Sequence, residues 1–372
     1  MDYLGKDIKK LGFGLMRLPM SEKDVDIEQT KEMVDLFMAK GFTYFDTAYG
    51  YIKGKSEEAV KTALVERYPR ESFQLATKLP AWEADTAHKA KDMIYTSLER
   101  TGAGYFDYYL LHNVSASRNN TFNDFGIWDY VQELKAKGLV LHAGFSFHDK
   151  ADVLDRILTE HPEAEFVQLQ INYADWESES VQSRLCYEVA LKHNKPIIIM
   201  EPIKGGALAN PAQSVRKILQ EANPKASFAS WAIRFGASLD NIITVLSGMS
   251  TLEQMKDNLS YMDDFKPLST EEKAVISQAQ AAIAAIPSIP CTSCGYCLEE
   301  CPQHINIPQV FEARNQHMVF DDLNGAKMSY RIAMMFGSSN PSKCIACSNC
   351  ENVCPQQINI IETLKETTAL LD

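Results

Sequence analysis

Two stretches near the end of the chain carry the same chemistry. Residues 291–307 read CTSCGYCLEECPQHINI, and residues 344–360 read CIACSNCENVCPQQINI. In each, three cysteines stand two residues apart, a fourth follows after three more, and Pro-Gln-x-Ile-Asn-Ile closes the run. A cubane iron–sulfur cluster has four irons, one for each thiolate. Three cysteines on one tight loop reach three of them, and the fourth ligand must come from elsewhere. Structural zinc is the competing use of cysteine pairs, but it takes paired Cys-x-x-Cys arms and four ligands in all. Two copies of a four-cysteine run, each ending Cys-Pro, fit zinc poorly. Of the nine cysteines, only Cys186 lies outside these runs, in an apolar helical stretch where it reads as a buried small residue.

A second set of reactive residues lies in the first third of the chain: Asp46, Tyr51, Lys78 and His112. Asp46, Lys78 and His112 each fall near the end of a short β-rich run, and Tyr51 sits five residues past Asp46 in DTAYGY. Carbonyl reduction by hydride transfer needs these residue types. A tyrosine gives its proton to the nascent alkoxide, yet a free tyrosine titrates near pH 10 and gives it up reluctantly at neutral pH. An ammonium about 4 Å away, at an effective dielectric near 20, contributes up to about 4 kcal/mol. That predicts a tyrosine pKa lowered by about two to three units. Asp46 would keep Lys78 charged and aimed, and His112 would position the carbonyl oxygen. Singly, each residue reads as a cap or a surface charge; four at matching strand ends do not.

The elements that must position these groups alternate. Strand patterns cover residues 11–17, 44–48, 73–79, 106–112, 142–147, 166–172, 196–202 and 242–248, several as near-continuous apolar runs of the kind buried on both faces of a parallel sheet. Helical patterns fill the gaps. Residues 28–40 carry Met33, Val34, Phe37 and Met38 on one face, and Gly41 ends the run. Eight strands with intervening helices over roughly 250 residues predict an α/β fold of the (β/α)8 TIM-barrel type, in which catalytic residues gather at the carboxyl ends of the strands. A doubly wound dinucleotide fold would want Gly-x-Gly-x-x-Gly after its first strand, and Gly12-Phe13-Gly14 lacks the third glycine. Ser269-x-x-Glu272 is a capping-box signature for one further helix to about Ala285. Ile-Pro-Ser-Ile-Pro at 286–290 then makes a short, stiff connector. We therefore expect a barrel domain over residues 1–285 and a small, mainly α-helical cluster domain over 286–372. The cysteine runs are separated by an insert with helical patterns and breaks expected at Gly325 and Gly337.

The cysteine spacing resembles that of bacterial two-cluster ferredoxins, in which the fourth cysteine of each run serves the other cluster. That resemblance implies two 4Fe-4S clusters, one on Cys291, Cys294, Cys297 and Cys354, the other on Cys344, Cys347, Cys350 and Cys301. The first 265 residues resemble the aldo-keto reductase superfamily. FDTAYGY, ATK, LLH, GFS, QIN and GGAL occur in that family's order and spacing from about residue 8 to 265. The resemblance makes Asp46, Tyr51, Lys78 and His112 its catalytic tetrad and implies NADP or NAD as cofactor. It implies Ser146 and Gln170 as ligands of the nicotinamide carboxamide, and Ile203, Gly205 and Gly206 as a pyrophosphate loop. Ser247, Gly248 and Met249 would precede a helix whose N-terminus faces the adenosine phosphate, with Gln254 and Asn258 near the adenine ribose. The departures are specific. Phe147 follows Ser146 where the family has asparagine, Met200 replaces an aromatic stacking residue, and Glu201 adds a negative charge beside it. Gly248 and Gln254 stand where NADPH-dependent members carry a lysine and an arginine. Tyr49 and Trp82 read as packing or pocket residues, and His88, His148 and His193 as surface residues.

Composition limits the remaining choices. The chain has 372 residues, 37 basic against 49 acidic, and a formal net charge of −12 with no long basic run. That argues against nucleic acid or an anionic membrane as a partner. No apolar stretch is long enough to span a bilayer, and the start, MDYLGKDIKK, lacks the apolar core of a signal peptide, so a cytoplasmic protein is expected. In a reducing compartment the cysteines read as cluster ligands rather than a disulfide framework. The expected partners are a small-molecule carbonyl or alcohol substrate and a redox protein. Two functions compete: a hydride-transferring oxidoreductase with a fused electron-transfer domain, or an electron-transfer or redox-sensing subunit whose barrel is mainly a docking scaffold.

Overall fold

A computed structural model describes residues 4–22, 24–179, 181–320, 323–334 and 338–372. Its backbone divides into two compact units. One comprises Met1–Glu177, Gln182–Pro202 and Ala229–Leu268; the other comprises Ser178–Val181, Ile203–Phe228 and Ser269–Asp372.

The first unit is a closed barrel of eight parallel strands: β1 Leu11–Gly14, β2 Tyr44–Asp46, β3 Gln74–Leu79, β4 Phe106–Val114, β5 Val140–Phe147, β6 Phe166–Gln170, β7 Ile197–Met200 and β8 Ile242–Ser247. Each strand pairs with its sequence neighbours, and β8 closes on β1 through Leu11 opposite Val245. All nine residues of β4 and all six of β8 are buried, which is why those runs read as near-continuously apolar. Tyr44, Leu110, Phe166, Ile198 and Ile243, all on barrel strands, belong to one packed cluster. All eight expected strands are present, mostly shorter than their apolar runs. After Gly14, for example, Leu15–Arg17 tightens into a 3-10 turn. A two-stranded hairpin, Met20–Ser21 with Asp24–Val25, has no counterpart in the sequence reading.

The helix expected at 28–40 is α1, Ile27–Ala39. Its N-cap Asp26 accepts from the Gln29 amide, and Gly41 turns the chain away at φ +71°. After β8, α2 covers Leu252–Met262 with Thr251 as its N-cap.

In the second unit, α3 spans Thr270–Ala284 behind the full Ser269–Glu272 capping box. The connector that follows is pinned rather than loose. The Asn315 side chain accepts from the Ile289 amide at 2.7 Å and donates to the Ile289 carbonyl at 2.8 Å. Helices α4 Ile307–Phe320, α5 Leu323–Ala333 and α6 Ile360–Leu371 surround a core of Ile305, Phe311, Tyr330 and Leu364, into which Cys297, Cys301 and Cys350 project. Gly325 does not break a helix. It lies within the first turn of α5, where burial of Ala326, Tyr330 and Ala333 outweighs the roughly 1 kcal/mol a helical glycine costs. Gly337 lies outside the described residues. Among the described residues no helix is long and apolar enough to cross a membrane.

Candidate active site and cluster cavities

Asp46 ends β2, Lys78 is the penultimate residue of β3, and His112 lies near the end of β4. Tyr51 opens the turn Tyr51–Gly54, which bends sharply because Ile52, Lys53 and Gly54 all have positive φ. Arg100 braces this turn: it donates to the Tyr49 carbonyl at 2.9 Å and to Glu57 at 3.2 Å, and Glu57 itself is wholly buried and accepts from Thr77.

The structure brings all four residues together. Lys78 Nζ donates to Asp46 Oδ1 at 2.5 Å, to the Thr47 carbonyl at 2.8 Å and to Tyr51 Oη at 3.2 Å. The second Asp46 oxygen accepts from Gln168 at 3.1 Å. The His112 ring stands edge-on to Tyr51, with centroids 5.9 Å apart. Asp46, Lys78 and His112 are nearly inaccessible to water.

The electrostatics differ from the expectation in one respect. Tyr51 is not lowered: burial lifts it well above 10, and the charges of Asp46 and Glu201 push it further. The simple estimate counted the ammonium but neither the desolvation nor the carboxylate bonded to that ammonium. Burial likewise raises Asp46 and lowers Lys78, with their mutual attraction opposing both shifts. His112 is held well below its ordinary value by burial and then by Lys78, His148 and Arg118, so at neutral pH it is an uncharged hydrogen-bonding group.

Three residues around this centre escaped the sequence reading or were undervalued by it. His148, read as a surface residue, is pushed down to about 4 by burial and by the neighbouring Arg118 charge. Its place two residues past Ser146 was the available signal, because alternate residues at a strand end share a face. The Arg118 guanidinium lies 3.9 Å from the centre of the Trp82 ring, and Trp82 lies 5.5 Å from His112. Trp82 is thus a wall of the centre rather than remote packing. His88 is exposed, as read, and His193 is paired with Asp155 at the surface.

The residues expected around a dinucleotide fall into distinct settings. Ser146 ends buried on β5 and accepts from the Asn113 amide at 2.7 Å, leaving its own proton for another acceptor. The Gln170 amide lies buried beside His148, yet neither its nitrogen nor its oxygen forms a hydrogen bond of ordinary geometry. Such a buried amide suits a ligand that both donates and accepts, as a carboxamide does. Ser247 and Asn258 bond to each other at 2.8 Å, Tyr261 donates to Asn258, and both partners of the pair are buried. Asn258 therefore braces β8 against α2. Gln254 closes the N-terminus of α2 by accepting from the Ser250 amide, and Met249 is buried, while Gly248 is exposed. In the second unit, Ile203 leads into Lys204, Gly205 and Gly206, three consecutive residues with positive φ.

The eight cysteines line two separate cavities. One is walled by Cys291, Cys294, Cys297 and Cys354 together with Ile307 and Phe311. The other is walled by Cys301, Cys344, Cys347 and Cys350 together with Ile305 and Leu364. In each cavity the fourth cysteine comes from the other run, the arrangement implied by the ferredoxin resemblance. The apolar walls push the Cys350 thiol up to about 12 and raise Cys297 as well. Sulfurs facing one apolar-walled cavity from two loops fit a cubane cluster held by thiolates.

A closed parallel barrel with a buried Asp–Lys–Tyr–His centre at its strand ends, joined to a helical domain with two cysteine-lined cavities, defines an oxidoreductase with a fused iron–sulfur domain. The chain belongs to the Aldo/keto reductase family, whose model matches residues 10–281, and the 4Fe-4S dicluster domain matches residues 290–361. It is 22% identical over 311 residues to the oxidoreductase YqkF of Bacillus subtilis, covering 74% of this chain and 94% of that one. With the methylglyoxal reductase DkgA of Yersinia pestis it shares 25% identity over 279 residues, 74% of this chain and 90% of that one. An aldo-keto reductase from Klebsiella pneumoniae, solved in complex with NADPH, superposes with a TM-score of 0.57 at 19% identity, covering 73% of this chain and 90% of that chain.

Proposed function

We propose that the barrel transfers hydride between a nicotinamide dinucleotide and the carbonyl or alcohol of a small molecule, with Tyr51 exchanging the proton. The observation that carries this reading is the chain Asp46–Lys78–Tyr51, its first two members buried, with Lys78 Nζ 2.5 Å from one partner and 3.2 Å from the other. A reduced nicotinamide, when bound, supplies a hydride to the carbonyl carbon. Negative charge then develops on the carbonyl oxygen. Tyr51 Oη donates its proton to that oxygen, and Lys78 stabilises the phenolate left behind. Neutral His112 holds the oxygen in place without competing for the proton. Ser146 and Gln170 bind the carboxamide, and the remaining dinucleotide contacts are assigned to Ile203, Gly205, Gly206, Ser247, Gly248, Met249 and Gln254. The buried Asn258 acts behind Ser247 rather than on the ligand. We place two 4Fe-4S clusters in the two cavities and the domain boundary within the connector at 286–290. Iron–sulfur clusters, when bound, carry single electrons, so a redox protein is the fitting partner for the second domain.

The test is Tyr51→Phe, assayed with NADPH or NADH and methylglyoxal, the aldehyde named for one relative, alongside a panel of other aldehydes and ketones. The variant should lose at least 100-fold in kcat, the scale of general acid catalysis, with dinucleotide affinity within twofold of the parent. Unchanged turnover on a substrate the parent accepts would refute the tetrad assignment.

A further inference from the structure

We propose that the ligand loop of one cluster, the one on Cys291, Cys294, Cys297 and Cys354, shapes the segment Ile203–Gly206, so that loading this cluster sets the affinity for the dinucleotide. This inference rests on reading Ile203–Gly206 as the pyrophosphate loop.

Lys204, Gly205 and Gly206 have φ values of +48°, +66° and +105° in succession. Left-handed backbone at a non-glycine residue such as Lys204 persists only where its surroundings hold it. Those surroundings are the cluster loop. A Cβ placed on Gly205 would lie 2.3 Å from the Thr292 carbonyl oxygen and 3.0 Å from Thr292 Cα. Thr292 is buried and stands between Cys291 and Cys294, so its backbone course is set by the two thiolates on either side. A second contact comes from the other run. Lys204 Nζ reaches Gln356 Oε1 at 3.5 Å, and Gln356 is buried two residues beyond Cys354. The two segments that touch the loop thus carry three of the four cysteines of one cavity. The cysteines of the other cavity supply none of these contacts.

The consequence follows from the chemistry of the backbone. Ile203, with φ −105° and ψ +10°, followed by left-handed Lys204, turns successive amide groups toward one side, a concave arrangement that takes a phosphate oxygen. Gly205 and Gly206 take positive φ at no steric cost, but left-handed Lys204 costs conformational energy when nothing packs on it. The turn's own bonds, from the Gly206 and Leu208 amides to the Ile203 carbonyl, remain without iron, but the thiolates no longer fix the course of Thr292, and the packing that holds Lys204 left-handed weakens. Affinity for the diphosphate should therefore depend on the cluster even when no electron moves.

The experiment uses the full chain, purified without oxygen. Dissociation constants for NADPH and NADH are measured by fluorescence titration in the parent and in Cys294→Ser, Cys347→Ser, Lys204→Ala and Gly205→Ala. Iron content and electron paramagnetic resonance of the reduced protein record which cluster is lost. Cys294→Ser and Gly205→Ala should weaken binding about tenfold, and Cys347→Ser less than twofold. Hydrogen exchange at residues 203–208 should rise in Cys294→Ser and not in Cys347→Ser. Gly205→Ala keeps all eight ligands, so it tests the contact even where a cysteine variant fails to fold. If Lys204→Ala weakens binding while Cys294→Ser and Gly205→Ala leave it unchanged, the loop reading stands and the coupling is refuted. If Lys204→Ala has no effect, or no dinucleotide binds the parent, the loop reading itself fails and the coupling with it. Equal losses in Cys294→Ser and Cys347→Ser would also overturn the proposal, since they would mean general destabilisation.

Discussion

Replacing Lys78 by methionine tests how the tetrad works, because the structure supplies both sides of the balance. At 3.2 Å and an effective dielectric near 20, the ammonium stabilises a Tyr51 phenolate by about 5 kcal/mol. Asp46 opposes it. The two bonds that meet at Lys78 Nζ, laid end to end, put that carboxylate no more than about 5.7 Å from the phenol, a repulsion of at least about 3 kcal/mol. The net assistance is at most about 2 kcal/mol, or roughly a 30-fold effect on phenolate formation. Methionine fills the space of the lysine stem, so Lys78→Met, with Asp46 taking up a proton, should slow single-turnover reduction by up to about 30-fold with little change in dinucleotide affinity. It should also leave Asp46 buried without a counter-charge, costing about 3–5 kcal/mol of stability. Restoring neutrality with Asp46→Asn in the same chain should recover most of that stability without recovering the rate. The sign with pH is fixed. Asp46 already titrates above its ordinary value because it is buried, and loss of Lys78 raises it further. A carboxyl raised in the folded state favours folding below its unfolded pKa, and that advantage is lost as pH rises through the folded pKa. The stability deficit of Lys78→Met should therefore shrink from pH 7 toward pH 4. Urea unfolding and rapid-quench kinetics on the two variants measure both quantities. A double variant as unstable as the single one, or a rate loss under threefold, would show that the pair does not act on Tyr51 as argued.

Two further outcomes follow from side chains beside the tetrad. Gln170 has a buried amide without ordinary hydrogen bonds, so Gln170→Leu should stabilise the ligand-free protein by about 1 kcal/mol while weakening dinucleotide binding about tenfold; thermal melts with and without NADPH separate the two effects. His148, lowered to about 4 in the folded state, binds a proton in the unfolded chain first. Its contribution to stability is whole above about pH 6.5 and is lost as pH falls toward 4, amounting to about 3 kcal/mol. In His148→Gln the urea midpoint should fall less steeply over that interval than in the parent, and parallel profiles would count against the assignment.

Much of this molecule was legible in the sequence because its signals are periodic or local. Runs such as FDYYLLH are mostly apolar since β4 is buried on both faces, and the Ser269–Glu272 box announces α3 from four residues. Asp46, Lys78 and His112 could be grouped because parallel barrel strands deliver their carboxyl ends to one side. What stayed hidden depends on distance rather than pattern. The pKa of Tyr51 could not be read, because desolvation and the carboxylate bonded to Lys78 enter only once the site is closed. Spacing alone places Asn258 near the adenine ribose; its bonds to Ser247 and Tyr261 join residues that no local pattern connects. Gly325 matched a helix breaker, yet packing around Tyr330 carries the helix through it.

The two halves of the chain handle electrons in different units, and this bears on what joining them achieves. Hydride carries an electron pair, whereas each cluster passes one electron at a time. Two clusters match one hydride in number, but counting does not supply a route, since the pair must first be divided. On the proposed reading Asp46, Tyr51, Lys78 and His112 hold and move protons; none of them is a one-electron carrier at the potentials of nicotinamide or of a 4Fe-4S cluster. Within the tetrad's own chemistry the pair stays a pair. The contacts of Thr292 and Gln356 with the Lys204–Gly205 turn suggest a different use of the fusion. A cluster that shapes a phosphate-binding loop can govern whether the dinucleotide binds without receiving anything from it. Coupling of that kind needs only a difference in affinity between the loaded and unloaded states, and it leaves the clusters' own electrons to a partner protein.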